Sequence, residues 1–231
     1  SMSTTSLAPK GFIFDLDGTL LDTEPLYTEA TQNVMDPIGR RFTLEFKRTI
    51  VGREAIESAN MTVSEYDLPM DAQTFLDRRS IFLKVLFPAA QPITGAERFI
   101  EGLLDQDVPI AIATSSSREM FELKRSQKPW LQKITTTLCG DEVRRSKPDP
   151  EIFVEAANAL GISAADCIVF EDSITGFKAA RAAGMTVIGI DSPYLLDVDR
   201  TEANLVIDDY QGLTFVQGQL FVGEGADPDS A

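Results

Sequence analysis

Histidine is absent from all 231 positions. That removes the side chain most often used as a general base near neutral pH. It also removes every Ser–His or Cys–His nucleophile pair and the usual zinc ligand. Cysteine occurs only as Cys139 and Cys167, each inside an apolar segment. Two buried reduced thiols are expected rather than a disulfide, in an intracellular, cytoplasmic protein. No apolar stretch approaches the ~20 residues of a membrane span, and the N-terminus lacks a signal peptide's basic and apolar regions, so no membrane partner is expected. Basic residues are the minority, 21 against 36 acidic ones, for a net charge of −15. A nucleic-acid polymer is therefore a poor partner. An anionic substrate would have to be held by local cations or a metal rather than drawn in by the global field.

The hydrophobic fraction of 43% and charged fraction of 25% suit one sizeable core with a small inserted domain. Short apolar runs recur at residues 11–14, 108–113, 134–139, 167–170, 185–190 and 205–207. Helical patterns separate most of them. Strands alternating with helices predict an α/β fold, a doubly wound parallel sheet covered on both faces. Residues 25–87 break the rhythm: they carry apolar residues at helical spacing and no convincing strand. The reading is a core of residues 1–21 and 94–222, an all-helical insert of residues 22–93, and an acidic, disordered tail of residues 223–231.

Four places at or beyond strand ends carry candidate chemistry. Asp15-Leu16-Asp17-Gly18-Thr19 closes the run Gly11–Phe14. Alternation would send both aspartates to one side if the strand continued. Two acids there suit a metal and a phosphoryl group, and Gly18 allows close backbone approach to an anion. Thr114-Ser115-Ser116 follows Val108–Ala113 and could hold phosphate oxygens or simply cap a helix. Lys147, between Ser146 and Pro148, could neutralise a transferring phosphoryl group or be a solvated lysine. Asp149 and Pro150 look like the N-cap and first residue of a helix ending near Leu160. Glu171-Asp172 closes Cys167–Phe170 and could ligate a hard cation, while Asp172 or Ser173 could cap the next helix. All four would line one crevice beyond the carboxyl ends of the strands.

In order and spacing these motifs resemble the haloacid dehalogenase superfamily, from Phe12 to about Ile190. The helical insert resembles the C1 cap of its β-phosphoglucomutase-like branch, supported by Leu21-Asp22-Thr23-Glu24 and Val51-Gly52-Arg53. Segments 87–97 and 113–116 resemble the pseudouridine-5′-phosphatase-like members. The resemblance implies a Rossmann-like core and a phosphatase acting on small phosphorylated metabolites as a monomer. Asp15 would be the nucleophile and Asp17 the general acid and base. Mg2+ would be held by the Asp15 and Asp172 carboxylates and the Asp17 carbonyl. Thr114 and Lys147 would hold phosphoryl oxygens, aided by the Gly18, Thr19 and Ser115 amides. Glu171 would orient a metal water or Lys147. Glu24, Arg53 and Arg118 are candidates for substrate contacts. Sugar phosphomutases of this branch use a cap histidine where Tyr27 stands, so hydrolysis becomes the default. A mutase, or a non-catalytic module that binds phosphometabolites, is the alternative.

Overall fold

Runs of four or five residues with no polar member make strands that can be buried on both faces. Residues 11–14 are an example, every one of them buried. The computed structural model describes residues 5–223. In chain order its strands are β1 (Thr5–Leu7), β2 (Gly11–Phe14), β3 (Leu21–Asp22), β4 (Gln91–Pro92), β5 (Ile110–Ala113), β6 (Thr136–Leu138), β7 (Cys167–Glu171), β8 (Thr186–Ile190), β9 (Leu205–Ile207), β10 (Leu213–Val216) and β11 (Gln219–Val222). The helices are α1 (Glu24–Met35), α2 (Leu44–Ile50), α3 (Ala55–Glu65), α4 (Ala72–Leu86), α5 (Ala96–Asp105), α6 (Arg118–Arg125), α7 (Pro129–Gln132), α8 (Glu151–Leu160), α9 (Ile174–Ala182) and α10 (Asp197–Arg200).

The six apolar runs read from the sequence form one parallel sheet in the order β6-β5-β2-β7-β8-β9. The chain leaves β2 toward one edge through β5 and β6. It then returns past β2 to β7 and continues to the other edge. The order reverses between β2 and β7, and that is where a doubly wound sheet opens a crevice. The pleat sorts the side chains of β2 onto two layers. Ile13 joins a core with Phe153 and Ala156 of α8 and Phe177 and Ala180 of α9. Phe12 and Phe14 face the other way, against Phe99 of α5, Phe170 and Tyr210. The Phe14 and Phe170 rings stack at 4.9 Å.

The chain divides into two compact units, Ser1–Asp22 with Gln91–Ala231, and Thr23–Ala90. The boundaries differ slightly from those read in the sequence, because Asp22 pairs with Gln91 and Pro92 pairs with Leu21, so that Asp22, Gln91 and Pro92 join the first unit. In the second unit α1, α3 and α4 surround a core of Val34, Met35, Ala59, Leu68, Ala72 and Phe75. A three-stranded antiparallel sheet, β1-β11-β10, went unread in the sequence. It joins two ends of the chain, and its Phe215 packs edge-on against Phe12 at 5.2 Å. The expected tail begins at Gly223, whose amide donates to the Gly212 carbonyl at 3.0 Å. Residues 224–231 lie outside the described residues.

Candidate active site

Strand register brings the first group of side chains together. Phe14 lies opposite Phe170 on β7 and Ile112 on β5. The Asp15 amide donates to the Phe170 carbonyl at 3.0 Å, so the ladder runs one residue past β2. Asp15 therefore arrives beside Glu171 at the point where the strand order reverses. Thr114 follows β5 on the other side and is fully buried. Lys147 enters from the segment before α8. That helix begins at Glu151, one residue later than the sequence indicates, with Asp149 Oδ1 accepting from the Glu151 amide at 3.0 Å.

The Lys147 ammonium is the hub. It donates to Asp15 Oδ1 at 3.1 Å, to Glu171 Oε2 at 2.7 Å and to the Ala113 carbonyl at 3.1 Å. Burial works against its charge, but Asp15 and Glu171 outweigh that and hold its proton more tightly than usual. Asp172 lies beside this pair: its amide donates to Glu171 Oε1, and its Oδ1 is 3.3 Å from the Thr19 hydroxyl. The same hydroxyl is 3.4 Å from Asp15 Oδ2. Carboxylate oxygens of Asp15, Glu171 and Asp172 all lie within 4.8 Å of one another. Three clustered carboxylates against one ammonium, which holds Asp15 and Glu171, leave the site short of positive charge. Burial first, then Glu171, raise the Asp15 carboxyl to about 7 against the pull of Lys147. An all-oxygen, negatively charged donor set of this kind fits a hard divalent cation such as magnesium.

Other predicted residues take positions that the sequence did not indicate. The Gly18 and Thr19 amides, expected to face an anion, donate instead to the Leu21 and Leu16 carbonyls and close the turn. Gly18 is needed for its backbone: its φ is +72°, and a Cβ there would lie 2.0 Å from Asp172 Oδ2. Thr114 Oγ1 accepts from the Ser116 amide at 3.1 Å, and Ser115 is exposed. Arg118 is engaged within the core unit, with Glu142 at 2.7 Å and both the hydroxyl and carbonyl of Thr137. In the helical unit Arg53 pairs with Glu57, and Glu24 pairs with buried Lys47 at 3.0 Å. The caps of α6 and α9 are Ser117 and Ser173. Burial pushes the Cys139 thiol up to about 12, so it is no nucleophile at neutral pH.

Lys124 and Tyr210 were missed in the sequence, and Ser116 was read there toward phosphate rather than toward Asp17. Lys124 and Ser116 grip the Asp17 carboxylate. The Tyr210 hydroxyl, fully buried, donates to the Thr19 carbonyl at 2.8 Å and pins the turn that follows Asp15. The one available signal was Lys124 itself, a charge three residues after Phe121 on the apolar face of α6.

Gly176 in α9 offers a test of the Glu171 position. A Cβ there would lie 2.0 Å from Glu171 Cδ and 2.2 Å from the Oε2 that holds Lys147. Gly→Ala inside a helix ordinarily stabilises by up to ~1 kcal/mol. Gly176→Ala is expected to reverse that sign and destabilise by about 1–3 kcal/mol, measured by calorimetry. A melting point at or above wild type would contradict the packing described.

Comparison with known proteins follows the same residues. A family model described as haloacid dehalogenase-like hydrolase matches residues 12–190. The "Probable pseudouridine-5′-phosphatase" of Drosophila melanogaster is 37% identical over 201 residues, covering 84% of this chain and 87% of that protein. The (DL)-glycerol-3-phosphatase 2 of Arabidopsis thaliana is 36% identical, covering 79% and 80%. Among solved structures, a HAD-family hydrolase of Deinococcus radiodurans R1 with bound phosphate and sodium superposes with a TM-score of 0.72. It is 27% identical, covering 87% of this chain and 92% of that one.

Proposed function

Because this chain belongs to the haloacid dehalogenase-like hydrolases, we propose that it is a magnesium-dependent phosphatase that cleaves small phosphomonoesters through an aspartyl-phosphate on Asp15. Relatives that match most of its length are named phosphatases, and phosphoric monoester hydrolysis is its activity. The observation that carries the detailed reading is Asp15 itself. It is a buried carboxylate at the switch point of the sheet, held by Lys147 and flanked by two further acids.

Asp15 attacks the phosphorus while the ester oxygen leaves with a proton from Asp17. The phosphoryl group then sits on Asp15 as an acyl phosphate. Water attacks the same phosphorus and gives a proton to Asp17. The Asp15–phosphorus linkage breaks, inorganic phosphate leaves and both aspartates are restored. Lys147, held charged by Glu171, and Thr114 bind phosphoryl oxygens. The Asp15 and Asp172 carboxylates and the Asp17 carbonyl would hold magnesium, which when bound supplies positive charge to the phosphoryl oxygens. The absence of histidine favours hydrolysis over a mutase that relies on a cap histidine. The substrate class is a nucleoside 5′-monophosphate, with pseudouridine 5′-phosphate the narrow choice, on the strength of the Drosophila relative.

The purified protein is expected to release phosphate from p-nitrophenyl phosphate, glycerol 3-phosphate and pseudouridine 5′-phosphate with magnesium, and to stop in excess EDTA. Silence on every ester would overturn the reading. Turnover of several sugar phosphates with none of the nucleotide would refute only the substrate choice.

A further inference from the structure

Lys124 is 1% exposed, although lysine is among the costliest side chains to bury. Its ammonium lies 2.9 Å from Asp17 Oδ1, 3.0 Å from Asp17 Oδ2 and 2.7 Å from Ser116 Oγ. The Ser116 hydroxyl in turn donates to Asp17 Oδ2 at 3.0 Å. Ammonium, hydroxyl and carboxylate thus close a ring around the side chain assigned to proton transfer. The element that carries Lys124 is itself braced. Ser117 caps α6 by accepting from the Met120 amide. At the other end Lys128, also buried, donates to the Lys124 carbonyl at 2.7 Å.

Resting on the phosphatase reading above, we propose that Lys124 is a positioning residue for Asp17, fixing the direction of its carboxylate through an ion pair reinforced by Ser116. A side chain with this little exposure offers no surface to a substrate, whereas the Asp17 side chain is 25% exposed. The effect of Lys124 therefore passes through Asp17. A carboxylate has about four acceptor positions, so one gripped in this way can still carry the transferred proton. An isolated aspartate would sample several rotamers, and proton transfer depends on hydrogen-bond reach of the ester oxygen.

The test exploits the leaving group. An alkoxide needs a proton as it departs, while p-nitrophenolate does not. Lys124→Met is expected to lower kcat/KM for glycerol 3-phosphate ~30–100-fold and for p-nitrophenyl phosphate by less than about threefold. In an Asp17→Asn background the same change is expected to add nothing on the alkyl ester. Ser116→Ala, which leaves the ammonium in place, should show the same bias at smaller size, and it decides the matter should Lys124→Met fail to fold. Equal losses on both esters, or additive losses in the double variant, would overturn the proposal and leave the phosphatase reading standing. No turnover by the wild type on these two esters or on pseudouridine 5′-phosphate would sink that reading, and this one with it.

Discussion

Asp15→Asn is expected to abolish turnover and, with divalent cations chelated, to melt at a higher temperature than the wild type. On the reading proposed above, the loss of rate, on the order of 10³-fold or more, follows from removing the nucleophile. The gain in stability follows from charge. Burial and Glu171 raise the Asp15 carboxyl to about 7 in the folded protein, against an ordinary value of 3.8. Between those two values the folded chain binds a proton that the unfolded chain does not. Stability therefore falls as pH rises from about 4 toward 7, and above that the ionised carboxylate is a net burden without a metal. Asparagine keeps the shape and an acceptor for Lys147 but carries no charge. The expected gain at pH 8 in EDTA is about 1–3 kcal/mol, shrinking toward pH 4. Calorimetry on both proteins at the two pH values measures it. A variant less stable than wild type at pH 8 would show that the acids around Asp15 are already compensated without a cation.

Lys147→Met should act in the opposite direction at the same ion pair. Removing the ammonium leaves Asp15 and Glu171 buried without the cation that held both, at 3.1 and 2.7 Å. Breaking a buried pair from one side costs about 3–5 kcal/mol, and phosphoryl oxygens would lose their charge partner as well. The cost carries a pH signature. Without Lys147 the Asp15 carboxyl takes a proton more readily in the folded state, so the deficit should be larger at pH 8 than at pH 5. Adding Asp15→Asn should recover part of the loss at pH 8 by deleting one of the stranded charges. Urea unfolding of the single and double variants at both pH values checks this. Equal deficits at the two pH values, or strictly additive effects, would mean that Lys147 supports the fold by packing rather than by charge.

The turn after β2 explains why some assignments could be read along the chain and others could not. β2 and β7 are buried on both faces, so they appear as unbroken apolar runs, and the acids that end them appear as acids at strand ends. Lys147 could be placed because a helix start marks its position. The Gly18 and Thr19 amides could not, because whether an amide faces a ligand or closes a turn depends on where the Leu16 and Leu21 carbonyls lie. Arg118 looked available because Glu142 and Thr137 lie far from it in sequence. Tyr210 supports Thr19 across 191 positions, and Lys124 reaches Asp17 across 107.

By itself the sequence determined the parallel sheet, the helical insert and the identity of the acids, lysine and threonine at the strand ends. Each of these is a local property: hydrophobic period, a glycine or proline at a boundary, a charge at the end of an apolar run. Only the tertiary structure decided which of those charges oppose one another, which amides are already engaged, and that a buried lysine holds the second aspartate. Burial and electrostatic partnership depend on distances in space, and chain spacing does not carry them once the sheet has brought remote strands side by side.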